Sequence, residues 1–349
     1  MNRIESIRPA DRAAMKRAEK KWNSVAKPLH SLGIGEEDVI KLAGIFGTEN
    51  FSLDKRCAVI MCADNGVVCE GVTQTDSSVT GIVAKAIAEG TSNINTMARV
   101  YNADVFAVDV GICGDVDCDR LIRRRVDNGT KNIAVGAAMT REQCRQAVSV
   151  GMDCVKECIE NGYKIIITGE MGIGNTTTAA AVASVLLGVE PEAVTGRGAG
   201  LDEEGLARKI SAVKRAIEVN RPDRNDAWDI LSKVGGYDMA GMVGLFLGGA
   251  SYHIPAVIDG VISAAAAVLA VMICPDAADY MLASHVSAEP AGRMLLDRLG
   301  LKPIITGEMR LGEGTGGIML LPILDGVMSV YDSAHRFADL PMEEYTEQC

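Results

Sequence analysis

Apolar residues recur along the chain with two different periods, and the change of period divides it. Within residues 9–25, Ala14, Ala18, Trp22 and Val25 fall on one face of a helix, while Arg12, Lys16, Glu19 and Lys20 point elsewhere. Pro28, Gly33 and Gly35 interrupt that pattern, and a second helix is expected over 36–46. From residue 57 the pattern becomes short apolar runs alternating with longer helical stretches. The runs are CAVIMC (57–62), DVFAVDV (104–110), KIIIT (164–168) and IPAVI (254–258), and each ends in a polar or glycine-rich turn. Strand, turn and helix in repetition predict an α/β fold, a parallel sheet with helices on both faces. Ligands in such folds sit at the carboxyl ends of the strands, so the turns are the candidate site. A turn and helix are expected over 284–300, and a last helix over 322–338. The expected organisation is a helical segment at 1–50, joined by part of 320–349 into a small domain, and a parallel α/β catalytic domain over 51–320.

The third run opens the stretch KIIITGEMGIGNTTTAAAVAS (164–184). Its glycines, Gly169, Gly172 and Gly174, are expected to turn the chain into an alanine-rich helix that begins with Thr176, Thr177 and Thr178. The glycines alone could serve close packing. Three hydroxyls at a helix start, with the free N–H groups and the dipole of that end, favour an anion. The spacing Gly169-x4-Gly174-x-Thr176 follows a nucleotide-binding loop, but Asn175 stands where that loop has its lysine and Glu170 adds a negative charge. A triphosphate is therefore disfavoured, and a single phosphate held by the loop, Ile173 included, is expected.

Composition narrows the classes further. The 349 residues carry a net charge of -11, which argues against a nucleic-acid surface. Aromatics are only 4%, in keeping with tightly packed α/β layers. The ten cysteines are scattered and several lie inside apolar runs. The first residues lack the apolar core of a secretory signal, so reduced thiols and a cytoplasmic location are expected. Cys113-x4-Cys118, Cys154-x3-Cys158 and the four histidines form no metal-ligand spacing, and no metal or cofactor is expected. The apolar run 264–274 is too short to span a bilayer, so no membrane partner is expected either.

Other segments carry candidate chemistry. In RLGEGTGG (310–317), Glu313 sits between two glycines and ahead of an apolar stretch. It is either a solvated turn residue or a partly buried carboxylate whose raised pKa suits a general base. Asp202 is expected to N-cap a helix carrying Lys209, which is either solvated or a cation near the loop. Asp259 follows the fourth run and could accept ribose hydroxyls or cap a helix. The stretches IITGEMGIGNTT (166–177) and IITGEMRLGEGT (304–315) agree at eight of twelve positions, so Glu308 imitates Glu170. A short match without flanking agreement is weak support for duplication.

The order of these motifs carries a resemblance. WNSVAKPLHSLG (22–33), CADNGVVCEGVT, DVGI, TGEMGIGNTTTAAA, VTGRGAGLD, GGYDMAGMVG, VIDGVISAAAA, SAEPAGR and RLGEGTGG follow one another as in the nicotinate-nucleotide–dimethylbenzimidazole phosphoribosyltransferase family. The resemblance spans roughly residues 20–340, and its most specific segments are GEMGIGNTT and RLGEG. It implies a Rossmann-like sheet with a small helical domain from both chain ends, in a homodimer. It implies transfer of 5-phosphoribose from nicotinate mononucleotide to a benzimidazole nitrogen, releasing nicotinate and giving an α-ribazole 5'-phosphate. Glu313 is then the general base and Glu170 a supporting carboxylate. The GEMGIGNTT residues, Lys209 and Ser287 line the nucleotide site in that family, and Asp259 and Arg310 join them here as candidate substrate contacts. The leaving group is already a pyridinium, so neither an acid nor a metal is needed to expel it. Many relatives have histidine in place of Asn65, and the segment 70–81 lacks their aromatic and proline residues. The acceptor therefore stays open among benzimidazoles, purines and phenols. The rival readings need features that are missing: a kinase or ATPase the loop lysine, and a dinucleotide oxidoreductase or sensor a GxGxxG in the first turn.

Overall fold

The structure, a computed structural model, describes residues 2–346. Cys349 and the other terminal residues of the 320–349 segment lie outside the described residues. Among the described residues six strands form one parallel sheet: β1 (Arg56–Ala63), β2 (Ala103–Gly111), β3 (Ile122–Arg123), β4 (Ile165–Met171), β5 (Ala256–Ile258) and β6 (Met281–Ala283). Their order is β3-β2-β1-β4-β5-β6, so the direction of winding reverses between β1 and β4. That switch point is where an open α/β sheet opens a crevice at the strand ends. All eight residues of β1 are buried, as befits a central strand covered on both faces.

Two expectations are corrected. The third run does not turn at Gly169, because β4 stays paired with β1 through Ile60↔Gly169, Met61↔Glu170 and Cys62↔Met171. Ladder pairing holds the glycine extended and carries Glu170 into the interior. The last helix is Thr315–Ser333, with Pro322 inside it, rather than 322–338. It begins right after Glu313, so it springs from the candidate site. β3 and β6, of two and three residues, give no apolar run long enough to be read from sequence.

After a short helix, Asn2–Glu5, the first of the two expected helices is Arg12–Asn23, capped by Asp11, whose side chain accepts from the Ala13 and Ala14 N–H groups. The second is Ile34–Phe46. Trp22, Val25, Val39, Val327 and Tyr331 form an apolar cluster apart from the main core, with Trp22 and Tyr331 ring centroids 4.9 Å apart. The helix Thr315–Ser333 thus joins the strand ends to this cluster. Among the described residues no helix is long and apolar enough to cross a membrane, and the nine cysteines are free thiols.

Candidate active site

Asp259 organises the strand ends. It follows β5, and its carboxylate accepts from three backbone N–H groups: Gly314 at 3.1 Å, Gly316 at 2.7 Å and Gly317 at 3.1 Å. These are the orphan donors at the start of helix Thr315–Ser333, so a carboxylate 55 residues earlier anchors that helix. Both oxygens accept from the backbone, so Asp259 caps a distant helix while it also lines the cleft. Burial works to raise the pKa of Asp259, and the neighbouring His285 opposes it.

The anchored turn holds Glu313 in an unusual conformation. Gly312, Glu313 and Gly314 all have left-handed backbone, with φ of 81°, 59° and 82°. For a glutamate this costs roughly 1–2 kcal/mol. The turn packs on β4 at Gly169, where a Cβ would lie 2.3 Å from Ile60 Cδ1, 2.9 Å from Gly314 N and 3.0 Å from the Glu313 carbonyl carbon. Gly169 is thus a packing glycine that lets the Glu313 turn close on the sheet. The Glu313 carboxylate lines the cleft, and its buried Oε2 has no hydrogen-bond partner. Burial raises its pKa, against the Ile94 N–H. A strained, half-buried carboxylate with an orphaned oxygen is suited to taking a proton.

Glu170 enters the same cleft from β4. Burial pushes its pKa up to about 8, and Asp238 adds to the rise. Asn175, at the lysine position of the nucleotide-loop pattern, donates from Nδ2 to both Glu170 and Asp238, the latter at 3.0 Å. The opening of the helix Asn175–Leu187 is less free than the sequence suggests. The Ile173 N–H is taken by Thr80, the Asn175 N–H by the Gly172 carbonyl and the Thr177 N–H by Gly174. Gly174 has φ 90° as N-cap, and a Cβ there would meet Val68 at 2.8 Å, so it is required by packing and backbone conformation. Gly172 is wedged in the same way, with Ala63 O at 2.4 Å and Asp238 Oδ2 at 2.5 Å from a Cβ. Thr177 is buried, and its hydroxyl has no partner.

Lys209, the candidate cation, stands behind Thr176 and is not itself among the residues that line the cleft. Asp202 caps its helix, Glu203–Asn220, by accepting from the Gly205 N–H at 2.8 Å. Lys209 is fully buried and donates to Thr176 Oγ1 at 2.8 Å, so the solvated alternative is set aside. Burial lowers its pKa to about 8, opposed by Glu289. A buried ammonium with a threonine as its hydrogen-bond acceptor has spare donors for an anion. Ser287 is buried and Arg310 exposed, and both line the cleft. Glu308 is exposed, and it is not among the residues that line the cleft. Sequence reasoning missed Asp238, His285 and the start of helix Val261–Ile273, whose Val261 and Ile262 line the cleft. For Asp238 a signal existed: an acid shortly after two glycines, ahead of an apolar run, in GGYDMAGMVG. Among the described residues no group of three or more metal-ligating side chains comes together.

A family model described as Phosphoribosyltransferase matches residues 7–340. The nicotinate-nucleotide–dimethylbenzimidazole phosphoribosyltransferase of Acetivibrio thermocellus is 45% identical over 99% of this chain and 98% of its own. That of Ruminiclostridium cellulolyticum is 43% identical over 98% and 97%. A crystal structure of CobT from Thermus thermophilus superposes with a TM-score of 0.89 at 36% identity, covering 94% of this chain and 98% of that one. With 43–45% identity over nearly its full length and a closely superposing fold, the chain belongs to the nicotinate-nucleotide–dimethylbenzimidazole phosphoribosyltransferase family.

Proposed function

We propose that this enzyme moves the 5-phosphoribosyl group of nicotinate mononucleotide to a benzimidazole-type base, giving α-ribazole 5'-phosphate and nicotinate. The observation that carries the reading is Glu313, held left-handed by Asp259 with a buried oxygen unpartnered at the cleft. One benzimidazole nitrogen attacks C1' as the bond to the pyridinium nitrogen breaks, and the electron pair leaves with nicotinate. Glu313 takes the N–H proton from the other nitrogen. Attack opposite the leaving group inverts C1', which makes the product α. Lys209 and Thr176 hold the 5'-phosphate, with Gly198 beside them, where a Cβ would lie 2.9 Å from Thr176 Oγ1 and 3.1 Å from Lys209 Nζ. An ionised carboxylate near C1' favours the positive charge that develops there.

The chain reads as two domains, a small one from residues 1–50 with part of 320–349 and the α/β body at 51–320. A cytoplasmic homodimer is the working form. Sedimentation at micromolar concentration tests the dimer. Incubation with nicotinate mononucleotide and a panel of benzimidazoles, purines and phenols, with products read by mass, tests the transfer. The expected result is release of nicotinate with a benzimidazole riboside phosphate as the main product. No nicotinate release with any acceptor overturns the reading.

A further inference from the structure

Asn175 Nδ2 donates to two buried carboxyl groups at once, Glu170 Oε2 and Asp238 Oδ2. Asp238 is fully buried in the first turn of the helix Tyr237–Tyr252, and its Oδ1 accepts from the Met239 N–H at 2.9 Å. Glu170 Oε1 abuts the turn that carries Glu313, 2.6 Å from where a Cβ on Gly312 would stand. We propose that Asp238 is a positioning residue for the transfer: the Asn175 amide it shares holds Glu170 against the Gly312–Glu313 turn, and its own charge keeps Glu170 a neutral hydrogen-bond donor. Glu313 is thereby left as the single anionic base. The inference rests on the transfer reading above.

Two carboxyl groups that share one amide nitrogen in a buried site do not both ionise cheaply. The charge settles on Asp238, which has the Met239 N–H as well and sits at the positive end of its helix. Glu170 meets further acids on its other sides. Asp259 faces it from the end of β5 and Glu313 from the turn. The Cys62 thiol lies on the adjacent β1, and Arg310 lines the cleft from its exposed side. Burial, and then Asp238, hold Glu170 at about 8, while Asp238 itself stands at about 6. No covalent step occurs at Glu170. A neutral Glu170 offers an O–H to an acceptor atom of the substrate and does not compete for the proton that Glu313 takes.

The test is Asp238→Asn, which keeps volume and removes the charge. In the ligand-free protein the protonated-carboxyl infrared band that Glu170→Gln abolishes reports Glu170 alone. Its titration midpoint is expected to fall by about one pH unit or more in Asp238→Asn. A one-unit fall lowers kcat about twofold at neutral pH and up to about tenfold above pH 8, and kcat recovers as the pH is lowered. In a Glu170→Gln background, where the side chain is always neutral, the same substitution changes kcat less than about twofold. An unmoved midpoint, or a loss of kcat equal at every pH and persisting beside Glu170→Gln, overturns the proposal. If Asp238→Asn does not fold, Asp238→Ser removes the same charge with less volume. It is again expected to lower the midpoint, and no movement there equally overturns the idea. The infrared titration uses no substrate, so its outcome stays separate from failure of the wild type to make product.

Discussion

The stretches 166–177 and 304–315 share the letters IITGEM and then part in three dimensions. In the first, Gly169 and Glu170 continue a central strand, and the acid is buried against Asn175 and Asp238. In the second, Ile305 makes only a bridge to His285, and Glu308 stands exposed with φ 52°. The difference lies in what pairs with them. β1 runs beside the strand of the first stretch, whereas the second passes the sheet edge beyond β6. Further along, the roles exchange: position 175 is an asparagine tied to two carboxyls, and position 313 is the strained acid. Identical letters therefore acquire chemistry from burial and anchoring.

Substitutions at matched positions can break this comparison. The largest effect is expected at Glu313→Gln, which keeps the shape but cannot take the proton. Its kcat should fall ~10²–10⁴-fold with donor affinity unchanged. Steady-state kinetics with calorimetric titration of nicotinate mononucleotide checks both halves. Next comes the glycine pair. Gly169→Ala drives a methyl group into Ile60 and the Glu313 turn, and displacing the base should cost on the order of 10²-fold in kcat. Gly307→Ala, its counterpart, finds its nearest atoms at 3.7 Å and should leave kcat within about twofold. Equal losses in the two alanine variants would contradict the packing argument.

Lys209→Ala sharpens the role of the first stretch. It removes a charge-assisted contact worth about 1.5–3 kcal/mol, so the donor KM should rise roughly 10–100-fold with little change in kcat. The pH dependence has a definite sign. The lysine pKa is depressed to about 8, so the ammonium that holds phosphate is present below that pH and lost above it. The donor KM should climb above about pH 8 in the wild type, and Lys209→Arg, which does not titrate there, should flatten the climb. The smallest effect belongs to Glu308→Gln, an exposed residue, with kcat within about twofold of wild type.

Much of this is legible in the sequence. The long strands announce themselves as apolar runs, Asp202 as a cap, and Glu313 by its flanking glycines. The rest depends on distance along the chain. Asp238 and Asn175 lie 63 residues apart, and no local pattern says that one amide serves both Asp238 and Glu170. Asp259 looks like a cap for the helix that follows it, yet its oxygens go to a helix 55 residues later. Gly174 looks like room for a phosphate, but the neighbour its Cβ would strike is Val68. The sheet assembles these residues, and the local chain does not record it.

The central claim is that Glu313 is kept in a costly conformation for chemistry alone. Glu313→Gly tests this most directly, because glycine accepts φ 59° freely and the buried, unpartnered oxygen disappears. The measurement is kcat at saturating donor and acceptor, with urea unfolding of the same preparation as control. The expected result is a loss of at least ~10²-fold in kcat with a stability no lower than wild type. A variant that keeps most of its kcat, or that loses activity only because it has lost its fold, would contradict the claim.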